Sequence, residues 1–185
     1  MKVICISGKA QHGKDTTAQL MSKALTDNGN CVLTTHYGDL VKYVCKSFFN
    51  WDGQKDERGR TLLQFVGTDI VRAQRTDYWV DFVADMLTMF DGQWDYVLIP
   101  DCRFPNEIDV MKDAGFDVEH VRVRRKNFQS PLTLEQQNHP SETALDDIKP
   151  DFYLDNDGTV EDLRNAVSEL VAEIDGCHQL VIEGL

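Results

Sequence analysis

The stretch Lys2 to Thr17, KVICISGKAQHGKDTT, decides the fold of this chain. Val3–Ile6 is a short apolar run, typical of a buried strand, and a helical pattern runs from about Thr16 to Asn28. Between them, Gly8–Thr16 matches the pattern G-x-x-x-x-G-K of a phosphate-binding loop. Glycine lets successive backbone N–H groups converge on phosphate oxygens, and the helix N-terminus adds partial positive charge. The sequence therefore predicts an anion site here.

The loop supplies a full charge as well as backbone donors, because Lys14 is placed to reach the β- and γ-phosphates of a nucleoside triphosphate. The pattern usually continues with Ser or Thr to hold Mg²⁺, but here Asp15 follows the lysine and Thr16 comes next. Either Asp15 or Thr16 serves the metal, or Asp15 only favours the helix N-terminus. The residues expected to contact the nucleotide are Gly8, Gln11, His12, Gly13, Lys14, Asp15, Thr16 and Thr17.

Strands and helices alternate along the rest of the chain, which predicts an α/β fold with a parallel sheet covered on both faces. Further strands are predicted at Cys31–Tyr37, Tyr96–Ile99, Phe116–Val123 and Phe152–Leu154. Ligands of such sheets bind beyond the carboxyl ends of the strands. The residues at those ends are Gly8–Thr16, Asp39, Asp101 and Arg103.

Several helix boundaries follow from local signals. Asp39, Asp77 and Thr159 are each expected to cap a helix. Residues 50–60 are polar and predicted to form a loop, while Gly67-Thr68 is expected to end one helix and begin another.

Composition limits the function. The chain has 185 residues, with 19 Lys and Arg against 31 Asp and Glu, so the net charge is −12. One domain, 1–185, is expected. So acidic a chain is a poor candidate for binding a nucleic acid polymer. No apolar run approaches the roughly 18 residues of a membrane span. The five scattered cysteines indicate reduced thiols and a cytoplasmic location.

Six further blocks of sequence sharpen the interpretation: Asp39–Lys42, Leu63–Asp69, Tyr78–Val80, Asp101–Glu107 (DCRFPNE), His139–Glu142 (HPSE) and Asp155–Gly158. With these blocks the chain resembles, from Val3 to about Val171, the phage-type deoxynucleoside monophosphate kinases of the P-loop nucleoside monophosphate kinase superfamily. The resemblance implies a three-layer fold with a five-stranded parallel sheet, an acceptor-binding helical insertion at 39–90 and a lid-like segment at 124–150. It also implies ATP and Mg²⁺ as cofactors and nucleotides as small-molecule partners.

The resemblance further implies site residues. Lys14, Asp101, Arg103 and Arg124 would be catalytic, with Asp101 holding Mg²⁺ through water. Asn156 and Gly158 would lie near the adenine of ATP. The acceptor would bind near Asp39, Lys42, Arg72, Trp79 and Arg103.

Other interpretations stay open for some of these side chains. Trp79 lies on an apolar helical stripe, where a tryptophan is more often a core residue than one that stacks on a base. Arg72 is as well suited to a surface ion pair, and the basic run that contains Arg124 to a solvated strand end. His12 is also compatible with a variable loop position.

Two rival functions also remain. The first is a dephospho-coenzyme A kinase of the same fold, and the second is a nucleotide-binding or NTPase module without an acceptor. The base and sugar of the acceptor are not determined by the sequence, nor is the choice between monomer and homodimer. The tail Cys177–Leu185 is interpreted as an edge strand or a dimer contact.

Overall fold

A five-stranded parallel sheet forms the centre of the computed structural model, which describes the backbone of residues 1–183 and the side chains of residues 1–176. The strands are β1 (Lys2–Ser7), β2 (Val32–Thr34), β3 (Tyr96–Ile99), β4 (Asp117–Arg124) and β5 (Phe152–Asp155). Their order is β2-β3-β1-β4-β5, and every pair is parallel. The predicted fold class is confirmed, although β2 is shorter than expected.

The helices are α1 (Lys14–Asp27), α2 (Gly38–Phe49), α3 (Glu57–Gln64), a π-helix (Phe65–Arg72), α4 (Tyr78–Met89), α5 (Pro105–Asp113), α6 (Leu134–Asn138), α7 (Pro140–Thr143) and α8 (Val160–Glu183). Within the described residues, none of these helices is long and apolar enough to cross a membrane.

The core has two layers because β1 is buried on both of its faces. Side chains alternate along a strand, so Ile4 and Ile6 pack on one side and Val3 and Cys5 on the other. The first layer brings α1 and α8 onto the sheet through Met21, Leu25, Val167 and Ile174. The second brings α4 and α5 onto it through Val83, Leu87, Ile108 and Met111.

The helical segment after α2 differs from the prediction. Residues 50–60 are not all loop, since α3 begins at Glu57 and Asp56 caps it by accepting a hydrogen bond from Gly59 N at 2.7 Å. The expected break at Gly67-Thr68 is wrong, because α3 runs directly into the π-helix. Gly67 instead permits close packing: a Cβ there would lie 3.2 Å from Val41 Cγ1.

Of the three predicted caps, Asp39 is wrong, because it lies in the first turn of α2 rather than at its N-cap. Asp77 does occupy the N-cap position of α4, but its side chain makes no capping hydrogen bond. The Asp77 carboxylate accepts instead from Asn106 Nδ2 at 2.7 Å. Thr159 caps α8, since its Oγ1 accepts from Asp162 N at 3.2 Å.

The C-terminal stretch is helical, because α8 continues through Glu183. The edge strand considered for Cys177–Leu185 is therefore wrong for 177–183. Residues 184 and 185 lie outside the described part of the chain.

One buried histidine makes stability depend on pH. Ser7 Oγ and His120 Nε2 are hydrogen-bonded at 2.7 Å between β1 and β4. Burial, with a smaller effect of Arg122, lowers the pKa of His120 to about 4. In an unfolded chain the pKa of histidine is about 6.5. Between these values the unfolded state binds more protons, so the free energy of unfolding should fall as pH drops from about 6.5 towards 4.

His120→Gln removes this titration and retains a side chain able to hydrogen-bond Ser7. We expect the variant to lose less unfolding free energy than wild type between pH 7 and pH 5, measured by urea denaturation at both values. Equal losses in the two proteins would contradict this assignment.

Candidate active site

The loop between β1 and α1 has a backbone path that glycine makes possible. Gly8 and Gly13 adopt φ values of 142° and 100°, and Gln11 is also left-handed at 60°. A Cβ on Gly8 would lie 2.4 Å from the carbonyl oxygen of Val123, so no other residue fits without displacing β4. Because β1 and α1 are both anchored in the core, the loop is held as a fixed concave turn at the helix N-terminus.

Lys14 points back into this loop. Its Nζ donates to Gly8 O at 2.8 Å and to Lys9 O at 3.0 Å. Burial, together with the nearby Arg103, lowers the pKa of Lys14 to about 8. A bound anion would oppose both effects, so this site favours negatively charged ligands.

Asn156 supports the loop from the turn after β5. Its Nδ2 donates to His12 O at 2.9 Å, and a Cβ on Gly13 would lie 2.4 Å from the same nitrogen. The nearby Gly158 packs against Asp162 at the start of α8. The described contact of the Asn156 side chain is thus with the phosphate loop itself.

A cavity of about 620 Å³ lies beside the loop, bounded also by α2, α3, the π-helix and the end of β3. It brings together eight of the residues predicted from the sequence: Gln11, Lys14, Asp15, Lys42, Arg72, Trp79, Asp101 and Arg103. Residues from four separate parts of the chain therefore share one site.

The carboxylates of this cavity have defined partners. Asp101 accepts from Tyr37 N at 3.0 Å and Gly38 N at 2.8 Å, which fixes the start of α2. Asp15 lies 3.5 Å from His36 Nε2, and this contact lowers the pKa of Asp15 and raises that of His36. The other ring nitrogen of His36 lies 3.5 Å from Asp39.

A metal would need ligands from outside these side chains. No group of three or more His, Cys, Asp or Glu side chains among the described residues is arranged to hold one. Asp15, Thr16 and Asp101 offer hard oxygen donors, which suit Mg²⁺, and this ion commonly completes its shell with water and phosphate oxygens. The donor set therefore fits Mg²⁺ bound together with a phosphate.

The acceptor-side residues have contrasting environments. Trp79 is only 3% exposed, and its Nε1 donates to Gly67 O at 2.8 Å, so most of the ring lies in the core. Arg72 pairs with Glu107 and stacks 4.1 Å from the ring centre of Phe104. Both reach the cavity wall, but neither is a freely solvated side chain.

A second cavity of about 210 Å³ lies on the other side of Arg103, which lines both. Glu142 lies in the wall between them: it forms an ion pair with Arg103, and its Oε2 accepts from Ala10 N at 3.1 Å. Lys9 is held nearby by Asp146 at 2.5 Å. The chain around Glu142 is thus tied directly to the phosphate loop.

The remaining predicted residues are less closely associated with the larger cavity. Thr16 is exposed, whereas Thr17 is fully buried and its Oγ1 has no hydrogen-bond partner among the described residues. Arg124 pairs with Asp155 at 2.8 Å and lines the smaller cavity with Gly8 and His12. Asp39 is exposed and pairs with Lys42 at 2.7 Å.

Sequence reasoning missed, among others, three residues that contact predicted site side chains: His36, Glu107 and Glu142. Glu107 is 2% exposed and joins Arg72 to the turn after β3. Burial raises the pKa of Glu107 to about 7, and its contact with Arg72 opposes that rise. A signal was present, since Glu107 and Glu142 each end one of the blocks DCRFPNE and HPSE.

The sheet order, the glycine loop and the lysine at its helix define the P-loop kinase fold. The solved structure of APS kinase from Mycobacterium tuberculosis in complex with AMPPNP and APS matches with a TM-score of 0.55 at 16% identity, over 92% of this chain and 96% of that one. Another structure of the same enzyme, a Cys556Ala mutant, matches with a TM-score of 0.52. At this identity the likeness shows the fold alone.

A family model described as deoxynucleotide monophosphate kinase matches residues 34–167, and the chain belongs to this family. The deoxynucleotide monophosphate kinase of Enterobacteria phage T4 is 36% identical over 110 residues, which are 58% of this chain and 43% of that protein. A protein of Acanthamoeba polyphaga mimivirus, provisionally given the same name, is 26% identical over 97% of this chain and its own whole length. The chain thus aligns with less than half of the T4 protein.

Asp101 has a structural role that can be separated from its place in the cavity. Asp101→Asn leaves one backbone N–H of Tyr37 or Gly38 without an acceptor, which should lower the free energy of unfolding by about 1–2 kcal/mol. Asp39→Asn, in the first turn of the same helix, is the matched control and should change it by less than about 0.5 kcal/mol. Urea denaturation of the two variants measures both, and equal effects would contradict the capping role.

Proposed function

We propose that this protein transfers a phosphoryl group from Mg-ATP to a deoxynucleoside monophosphate, giving the diphosphate and ADP. One observation carries the proposal: a single cavity of about 620 Å³ has Lys14 of the phosphate loop and Arg72 of the π-helix in its walls. Two phosphate-bearing ligands can meet in such a cavity, with Arg103 also in its wall. Family membership supports the same reaction.

The ATP side is assigned to the loop. Unpaired backbone N–H groups of the loop and the N-terminus of α1 would hold the phosphates, and Lys14 would leave its loop carbonyls to pair with them. Asp15 or Thr16, with Asp101, would hold Mg²⁺, which neutralises charge on the phosphates when bound. Asn156 would act mainly by keeping the loop in shape.

The acceptor side is assigned to the helical insertion 39–90, with Asp39, Lys42, Arg72 and Trp79 near the nucleotide. The acceptor phosphate is already an anion and needs no general base, so the residues act by alignment and charge neutralisation. Arg103 suits this role because its guanidinium lies in the wall shared by both cavities.

Segment 124–150 is proposed as the lid. In the structure it contacts the insertion, since Gln136 Nε2 donates to Thr61 Oγ1 at 3.3 Å and His139 Nε2 lies 3.3 Å from Asp69. Such contacts would exclude water during transfer. Arg124, at the start of the lid, would have to release Asp155 before it could act on the transferred group.

We place the reaction in the cytoplasm with free nucleotides as partners, and without a nucleic acid polymer. The four cysteines described in the structure, Cys5, Cys31, Cys45 and Cys102, are all free thiols, which supports a reducing compartment. The protein would act as a monomer or a homodimer.

The deciding experiment measures ADP formation with Mg-ATP and a panel of acceptors: the four common deoxynucleoside monophosphates, AMP, GMP and dephospho-coenzyme A. We expect turnover that requires one or more deoxynucleotides and is abolished by Lys14→Met, because the charge on the transferring phosphates is then unopposed.

Two outcomes would overturn the proposal. Turnover with dephospho-coenzyme A alone would move the acceptor to another class, and ATP hydrolysis indifferent to every acceptor would indicate an NTPase module. Lys23→Met on α1, which removes an exposed lysine paired with Asp27, is the matched control and should retain full activity.

Asn156→Ala tests whether the Asn156 side chain supports the phosphate loop. Losing the hydrogen bond to His12 O should raise the KM for ATP roughly fivefold, since one such bond contributes about 1 kcal/mol. Asn30→Ala is the matched control, because Asn30 Nδ2 makes a similar bond to Leu25 O at the far end of α1. Steady-state kinetics compares the two, and equal KM values would remove Asn156 from the nucleotide site.

A further inference from the structure

The turn after β3 holds Arg72, which lies on the acceptor side of the larger cavity. The guanidinium of Arg72 stacks on Phe104 at 4.1 Å, Nη1 donates to Asn106 Oδ1 at 3.3 Å, and Nη2 pairs with Glu107 Oε1. Phe104, Asn106 and Glu107, which we call the Arg72 socket, all belong to the block DCRFPNE. The block thus joins the end of β3 to the π-helix.

Glu107 is the centre of the socket. While Oε1 binds Arg72, Oε2 accepts from the backbone N–H groups of Arg103 at 2.6 Å and Phe104 at 3.1 Å. One carboxylate therefore fixes the position of both the Arg72 guanidinium and the turn that carries Arg103. The side chains of Arg72 and Glu107 are only 9% and 3% exposed, so water screens the pair weakly.

The socket leaves part of Arg72 available. A guanidinium has five N–H donors, and the described contacts with Thr76 O, Asn106 and Glu107 use three of them. The Nε–H and one Nη2–H have no partner among the described residues. Arg72, Phe104 and Glu107 all line the larger cavity, so the Arg72 side chain reaches the wall of this cavity.

We propose that Glu107 is a positioning residue, which holds Arg72 so that its two remaining donors bind the phosphate group of the acceptor monophosphate. The inference rests on the proposed function, because it assigns Arg72 to the acceptor. Guanidinium groups bind phosphate through directed donors, so an Arg72 released from its socket would keep its charge and lose its alignment.

Glu107→Gln tests this, since glutamine keeps an oxygen for the backbone N–H groups and loses the ion pair. We expect the KM for the acceptor to rise roughly tenfold, as for the loss of a directed charged contact, while the KM for ATP changes less than about twofold. Arg72→Ala should raise the same KM, and the double variant should be no worse than Arg72→Ala alone, because Glu107 acts through Arg72.

Glu119→Gln is the matched control. It removes the carboxylate that pairs with Lys2, whose side chain is 4% exposed. Lys2 lies in β1 and Glu119 in the neighbouring β4, and neither residue lines either of the two cavities. This variant should leave both KM values unchanged. The inference is overturned if Glu107→Gln leaves the acceptor KM unchanged, raises the ATP KM equally, or adds its full effect to that of Arg72→Ala.

A second variant, which retains Glu107, tests the inference if Glu107→Gln does not fold. Asn106→Ala removes the Nη1 contact of Arg72, together with the bonds from Asn106 Nδ2 to Asp77 Oδ1 and Thr76 O. It should raise the acceptor KM by only about two- to threefold, because Phe104 and Glu107 still hold Arg72. An unchanged acceptor KM in Asn106→Ala would overturn the inference if Glu107→Gln fails to fold.

Calorimetric titration with each of the four deoxynucleoside monophosphates, without ATP, separates this inference from the proposed function. If wild type binds one of them but transfers no phosphate, the function fails, and weaker binding to Glu107→Gln still supports the socket. If wild type binds none of the four, both fail. If binding to wild type and to Glu107→Gln is equal, only the positioning role fails.

Discussion

The burial of β1 between two parallel neighbours is the constraint on which the rest of the structure depends. Its register places Ser7 beside Arg122 of β4 and Cys5 beside Ile99 of β3, so the segments that follow these strands emerge at one edge of the sheet. The phosphate loop, the turn with Asp101 and the basic segment after β4 therefore meet at this edge because of the strand register. A shift of one strand by a single residue would separate these segments from one another.

Carboxylates organise the cations at that edge. In a chain of net charge −12, the site arginines are paired with acidic residues: Arg103 with Glu142, Arg72 with Glu107, and Arg124 with Asp155. Paired in this way, the guanidinium groups keep defined positions in the walls of the two cavities. Lys14 differs, because it is held by loop carbonyls and its pKa is lowered, so it gains most from an incoming phosphate.

Local signals were reliable where local chemistry decides the outcome. The glycine loop between a strand and a helix, the alternation of strands and helices, and Thr159 as a cap were all predicted correctly. The prediction failed at Gly67, where glycine indicated a helix end. There the glycine meets Val41 and its carbonyl accepts from Trp79, contacts that lie far along the chain. Tertiary packing overrode the local preference.

The sequence alone determined the fold class, the glycine loop with its lysine and eight residues of the larger cavity, because strand patterns and glycine requirements are properties of short segments. Only the tertiary structure decided the pairing of the side chains. Asp101 fixes the start of α2, Asn156 supports the loop, and Glu107 and Glu142 hold arginines from other elements. Such contacts join residues about 30 to 140 positions apart, and a pair at that separation leaves no periodic trace in one sequence.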